Sequence, residues 1–173
     1  LIKDIGQLPI KPEMSDTLTH IILSTDNGAK DMLSSFTWDV RNTHGNVEEV
    51  YLNSKLTKLQ QISILENLKN TEEILITLLV RIRMDKGEST IDTTHAELLS
   101  LLKKNNIPFI TVGFGSPYLP NYESLDTYLC AYGYGKVSQI AMANALFGRN
   151  KISGKLPIDL SEMFSRGDGL VQE

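Results

Sequence analysis

The residues best suited to chemistry stand close together in the segment Met84-Asp85-Lys86-Gly87-Glu88-Ser89. Asp85 and Glu88 place two carboxylates on either side of a flexible Gly87, with the Lys86 ammonium between them. Two carboxylates flanking a substrate are the equipment of general acid/base work, such as that done on a glycosidic bond. With Lys86 they equally suit recognition of hydroxyl groups. The competing reading is a solvated charged loop, with Asp92 or Thr93 capping the helix that follows.

Other constellations fail on spacing. Gly148 to Lys155 has five residues between its glycines where a phosphate-binding loop has four, Leu156 stands where a magnesium-binding Ser or Thr is needed, and the segment follows a helix rather than a strand. Gly113-Phe114-Gly115 and Gly133-Tyr134-Gly135 each carry two of the three glycines of a dinucleotide fingerprint, and neither follows the first strand. They read instead as tight turns needing positive φ. Ser116 sits at a strand end, but it lacks a Gly-x-Ser-x-Gly elbow and is followed by Pro117. His20 begins a strand, His44 falls in a turn and His95 lies on an apolar helix stripe. No pattern links any of them to Ser116, and with one Cys they give no zinc spacing. Cys130, in an apolar stretch, reads as a small core residue. The expectation is no cofactor and no metal.

The elements that must position Asp85, Lys86 and Glu88 follow from the hydrophobic pattern. Five segments read as buried strands: Ile21–Leu23, Val47–Leu52, Ile74–Ile82, Phe109–Phe114 and Thr127–Ala131. Most are continuous apolar runs, as in a parallel sheet covered on both faces. Between them lie helical spacings: Ala29, Met32, Leu33, Phe36; Leu56, Leu59, Ile62, Leu65, Leu68; His95, Leu98, Leu99, Leu102; and Val137, Ile140, Ala141, Asn144, Ala145. The alternation predicts a three-layer α/β/α sandwich with a mostly parallel, doubly wound sheet of the flavodoxin-like topology class. Ligands of such sheets bind beyond the carboxyl ends of the strands, here the loops at Thr25–Gly28, Arg83–Ile91, Gly113–Leu119 and Gly133–Gly135.

The 173 residues fit a single domain over 1–173, with residues 1–19 and 158–173 as arms that pack against a neighbour. A formal charge of −4 with scattered basic residues argues against nucleic acid. No apolar run approaches a membrane span. No signal-peptide pattern is read, and a chain opening at Leu1 reads as a piece of a longer protein.

The stretch Ala143-Asn144-Ala145-Leu146-Phe147-Gly148, followed by Ser153-Gly154-Lys155-Leu156-Pro157, resembles the signature near the C-terminal end of glycoside hydrolase family 3 proteins. Ile152 stands where that family commonly has proline. Gly6-Gln7-Leu8-Pro9-Ile10 and Gly115-Ser116-Pro117-Tyr118 are similar to segments of the same domain. Phe164 with Gly167-Asp168-Gly169-Leu170 is similar to its end in bacterial members related to β-N-acetylglucosaminidases. The resemblance spans nearly the whole chain, although residues 20–105 match in pattern alone.

The resemblance implies a C-terminal domain partnered by an N-terminal TIM-like barrel of the same parent chain. That barrel carries the aspartate nucleophile, and carbohydrate is bound through the parent. In β-glucosidase members the acid/base glutamate comes from the loop after the third strand, where Asp85, Lys86 and Glu88 stand. In the β-N-acetylglucosaminidase branch it is a histidine of the barrel. No catalytic residue is therefore carried over. The sequence leaves the compartment open; the resemblance points to a secreted or periplasmic parent that acts in carbohydrate metabolism, and the isolated domain is expected to be inactive. The alternative is a freestanding flavodoxin-like binding module.

Overall fold

The computed structural model describes residues 1–12, 17–82 and 89–172. The chain runs β1 (Leu18–Leu23), α1 (Ala29–Met32), α2 (Ser34–His44), β2 (Val47–Leu52), α3 (Lys58–Leu68), β3 (Glu73–Val80), α4 (Thr93–Lys104), β4 (Ile110–Gly115), a 3₁₀ turn (Tyr122–Ser124), β5 (Thr127–Ala131) and α5 (Lys136–Leu146). The five strands form one parallel sheet in the order β2-β1-β3-β4-β5. This is the doubly wound order of flavodoxin-like proteins, with helices on both faces.

The continuous apolar runs are explained by two cores. In β1, Ile21 and Leu23 point to one face while Leu18 and Ile22 point to the other, and β3 divides its Ile and Leu residues in the same way. One core packs the sheet against Leu65 and Leu68 of α3 and against Leu98, Leu99 and Leu102 of α4. The opposite core packs it against Phe36 and Val40 of α2 and against Met142, Ala143 and Leu146 of α5. Phe36 meets Phe114 edge-on, with ring centroids 5.1 Å apart.

Two helix stripes differ from expectation. On α5, Val137, Ile140 and Ala141 face outward, and the inner face is Gln139, Met142, Ala143 and Leu146. Gln139 wins an inward position because it finds three backbone partners. Its Oε1 accepts from Phe36 N at 2.9 Å, and its Nε2 donates to Met32 O and Tyr134 O, both at 2.7 Å. On α3, Leu59 and Ile62 are exposed while Leu65 and Leu68 are buried, because a spacing of three drifts round a helix of 3.6 residues per turn. The predicted helix from Ala29 to Phe36 is broken at Leu33, which separates α1 from α2.

Parts of the two arms also pack into the core of this domain. Ile2, Ile10, Leu18 and Leu160 are buried, and β1 already begins at Leu18. The N-terminal segment covers the outer edge of β5, with Ile2 N donating to Tyr128 O at 2.8 Å and Tyr128 N to Lys3 O at 2.8 Å. Such cover protects an otherwise open sheet edge. The C-terminal segment joins it where Leu170 N donates to Leu1 O at 2.9 Å.

The signature residues have a local physical role. Arg149 N donates to Asn144 O at 2.8 Å and Gly148 N to Ala145 O at 3.2 Å, which is the paired closure of a Schellman motif. Gly148 holds φ at +66°, and a Cβ there would lie 2.9 Å from Pro9 Cβ. Leu146 is fully buried, and its carbonyl accepts from Ile10 N at 2.8 Å. Leu156 enters the core, while its backbone exchanges hydrogen bonds with Asp168 O at 2.7 Å and Gly167 N at 2.8 Å. Leu-Phe-Gly thus ends α5 and holds the N-terminal arm to it, and Gly-Lys-Leu-Pro holds the C-terminal arm to the segment that follows α5.

Candidate functional site

The chain reverses its direction of strand addition between β1 and β3, and the cleft beyond their carboxyl ends is where ligands of doubly wound sheets sit. A small cavity of about 40 Å³ lies there, lined among others by Ser24, Asp26, Arg81, Thr90, Asp92 and His95.

Ser24 Oγ donates to Leu79 O at 2.9 Å and accepts from Asp26 N at 3.2 Å, fastening the exit of β1 to β3. Asp26 is buried, and its carbonyl accepts from Ala29 N at 3.2 Å to turn the chain into α1. Asp92 caps α4 as expected, accepting from Thr94 N at 2.8 Å and Thr94 Oγ1 at 2.6 Å. Burial opposes the charge on Asp92, but these two hydrogen bonds, with His95 and Lys55 nearby, hold its carboxyl below the ordinary range.

His95 Nε2 donates to Ser54 O at 3.0 Å, and burial outweighs that carbonyl and Asp92 to push its pKa down. It is a neutral structural histidine. Arg81 lies 5.8 Å from the centre of the Tyr134 ring. Its buried Nε and the Thr90 hydroxyl have no hydrogen-bond partner among the described residues. Thr90 and Tyr134 fall in loops expected at this edge, whereas Arg81 was missed because the sequence pattern ran the third strand to Ile82 and the structure ends it at Val80.

Beyond β4, Gly115 has φ of +90°, which lets Ser116 N donate to Val80 O at 2.9 Å. The Ser116 hydroxyl donates to Ser89 O and is buried. Tyr122 Oη donates to Pro117 O at 2.9 Å and accepts from Leu119 N at 3.1 Å. The loop is therefore fixed by hydrogen bonds, and among the described residues no histidine is hydrogen-bonded to Ser116. His20 is buried against Thr77 Oγ1 at 2.8 Å, with its pKa lowered to about 3 by burial and then by Arg41. His44, expected in a turn, is the last residue of α2, and its Nε2 lies 3.1 Å from Glu73 Oε2. Burial pushes the Cys130 thiol up to about 11, which suits a packed thiol rather than a nucleophile.

The turn reading of the glycine pairs holds for Gly115 alone. Gly113 lies inside β4 under the Tyr128 ring, and Gly133 and Gly135 lack positive φ. Asp85, Lys86 and Glu88 lie outside the described residues. Among the described residues, no cluster of three or more His, Cys, Asp or Glu could hold a metal ion. No described helix is long and apolar enough to cross a membrane.

The fold and this cleft define a doubly wound α/β domain with its ligand edge at the β1/β3 switch. No protein-family model matches the chain, and no curated protein sequence does. Among solved structures, a fungal multi-domain GH3 β-N-acetylglucosaminidase superposes with a TM-score of 0.70 at 16% identity, over 97% of this chain and 18% of that one. A glycoside hydrolase family 3 β-N-acetylglucosaminidase from Paenibacillus sp. str. FPU-7 gives 0.63 at 14%, over 86% and 28%. The β-glucoside phosphorylase BglX gives 0.66 at 17%, over 91% and 29%. The chain thus has the fold of one unit within these proteins and spans less than a third of their length.

Proposed function

We propose that this chain is the C-terminal accessory domain of a family 3 glycoside hydrolase, related to the bacterial β-N-acetylglucosaminidase branch. In this reading it completes the site of a TIM-like barrel that carries the nucleophile. The observation that carries the proposal is the asymmetry of coverage: the two family 3 β-N-acetylglucosaminidase structures match 97% and 86% of this chain, but only 18% and 28% of their own length. The segments that resemble the family signature support it, because they form the α5 cap and the clasp of the two arms.

A barrel mouth is open on one side. A domain set against it can wall the site, supply hydroxyl-binding groups and exclude water. On this chain the ligand edge offers Arg81, Thr90 and Asp26, with Asp85, Lys86 and Glu88 in the loop after β3 as substrate-proximal candidates. Ser116 and the three histidines already serve the fold, and this reading leaves the nucleophile to the parent's barrel.

The transcript that encodes this segment is the direct test. It should carry an in-frame barrel, and the purified segment should not turn over aryl β-glycosides of glucose or N-acetylglucosamine. A reading frame confined to this domain, or turnover that follows the purified chain through successive columns, would overturn the proposal. In the parent, Asp85→Asn and Glu88→Gln should mainly raise KM if the loop binds hydroxyls. They should lower kcat, with partial sparing of activated leaving groups, if it protonates the leaving group. Wild-type kinetics in both would make the loop a solvated connection.

A further inference from the structure

A second groove, which shares no lining residue with the β1/β3 cavity, lies between α2 and α5. It has a volume of about 560 Å³ and is lined by Ser34, Ser35, Trp38 and Asp39 from α2 and by Lys136 and Ile140 from α5. That volume falls within the roughly 300–1,000 Å³ of small-molecule sites. Trp38 is the only tryptophan of the chain, yet it is 62% exposed. Around it, the Ser34 and Ser35 hydroxyls, the Asp39 carboxylate and the Lys136 ammonium make no hydrogen bond or ion pair with the rest of the described chain. Asp39 and Ser35 are half-buried residues whose side-chain oxygens have no protein partner among the described residues.

The walls of this groove are fixed. Gln139 of α5 accepts from Phe36 N in the first turn of α2 and donates to the carbonyls of Met32 and Tyr134. This buried clip sets the first turn of α5 against the first turn of α2, so the lining side chains project from a rigid frame.

We infer that this groove is a surface binding site for a neutral oligosaccharide. The Trp38 ring is the platform for the C–H face of a sugar. The Ser34 and Ser35 hydroxyls, the Asp39 carboxylate and the Lys136 ammonium take its hydroxyl groups. The indole offers a flat apolar face, which matches the apolar face of a pyranose. Asp39 accepts and Lys136 donates charge-assisted hydrogen bonds, which are stronger than neutral ones. The two charges cancel, so the groove suits an uncharged polyol rather than a phosphate or a carboxylate. A protein partner fits less well, because Ser, Asp and Lys are the types depleted from protein interface cores.

The groove shares no lining residue with the β1/β3 cavity, and only the choice of β-linked probes rests on the glycosidase reading. Since Trp38 is the sole tryptophan, its emission reports directly on the groove. The purified chain is titrated with cellotetraose, chitotetraose and maltotetraose, following fluorescence and heat. The expected result is saturable quenching or a blue shift with a β-linked probe. Trp38→Ala should weaken the calorimetric affinity by about tenfold or more, Trp38→Phe should retain part of it, and Asp39→Asn should lie between. Val137→Ala, on the outer side of α5, should leave it unchanged.

Binding of maltotetraose alone would keep the site and remove the β-linked assignment. No saturable signal with any of the three sugars, or binding that survives Trp38→Ala, would overturn the site. So would a Trp38 shift that follows protein concentration without sugar, which would make the groove a contact between copies. None of these outcomes bears on whether the transcript encodes a barrel.

Discussion

Gly115 is the position where the ligand edge depends most sharply on one missing atom. It is the last residue of β4, holds φ at +90°, and a Cβ there would lie 2.2 Å from the Val80 carbonyl oxygen. That oxygen cannot retreat, because it also accepts from Ser116 N at 2.9 Å and belongs to a strand paired on both sides. Gly115→Ala therefore meets two penalties. A left-handed non-glycine residue costs about 1–3 kcal/mol, and forcing an atom into a packed site costs about 1–3 kcal/mol more. The working expectation is a loss of about 4 kcal/mol, with the midpoint of urea unfolding lowered and the slope unchanged. For a chain of this length that corresponds to about 8–16 °C in Tm.

Gly45→Ala is the control. Gly45 has φ of +84°, but nothing lies within 4 Å of its Cβ position, so only the backbone penalty applies. The difference between the two variants isolates the contact with Val80. Equal losses at both positions, or a loss below about 1 kcal/mol at Gly115, would refute the reasoning.

Gly113→Ala should be destabilising because its Cβ would sit 2.8 Å from Tyr128 Oη, and Tyr128→Phe should restore part of the loss. A double-mutant cycle in urea that comes out additive would contradict this. Gln139→Leu leaves the Phe36 amide and the Met32 and Tyr134 carbonyls without their partner, and should cost about 3 kcal/mol or more by chemical denaturation. His20 is neutral in the fold, with its pKa lowered from 6.5 to about 3, so its contribution is complete above pH 6.5 and is lost as pH falls toward 3. Replacing the hydrogen-bonded pair together, His20→Leu with Thr77→Val, should flatten that part of the stability profile, and an unchanged acid slope would exclude His20 as its source.

Some of this protein was decided by sequence alone. The five strands and their order with the helices follow from runs such as Ile74–Val80, whose residues are apolar on both faces and so must be covered on both. The burial of His95, Leu98, Leu99 and Leu102 follows from a regular stripe. The cap at Asp92 and the end of α5 at Phe147-Gly148 are local geometry, legible because the partners lie within a few residues.

Tertiary structure decided what depends on distant partners. Val137, Ile140 and Ala141 gave α5 an apolar stripe, yet Gln139 took the inner face, because three backbone groups from other turns satisfy its amide. Ile2, Ile10 and Leu160 read as parts of arms that pack against a neighbour, yet all three are buried in this domain, Ile2 and Ile10 with hydrogen bonds to Tyr128 and Leu146 far along the chain. Arg81 beside Tyr134 in the cleft, and Trp38 with Lys136 in the groove, join residues from separate elements. Spacing along a sequence reports which neighbours share a face. Only packing reports what that face meets, because the free energy of burying a polar or apolar group is set by the partner it finds.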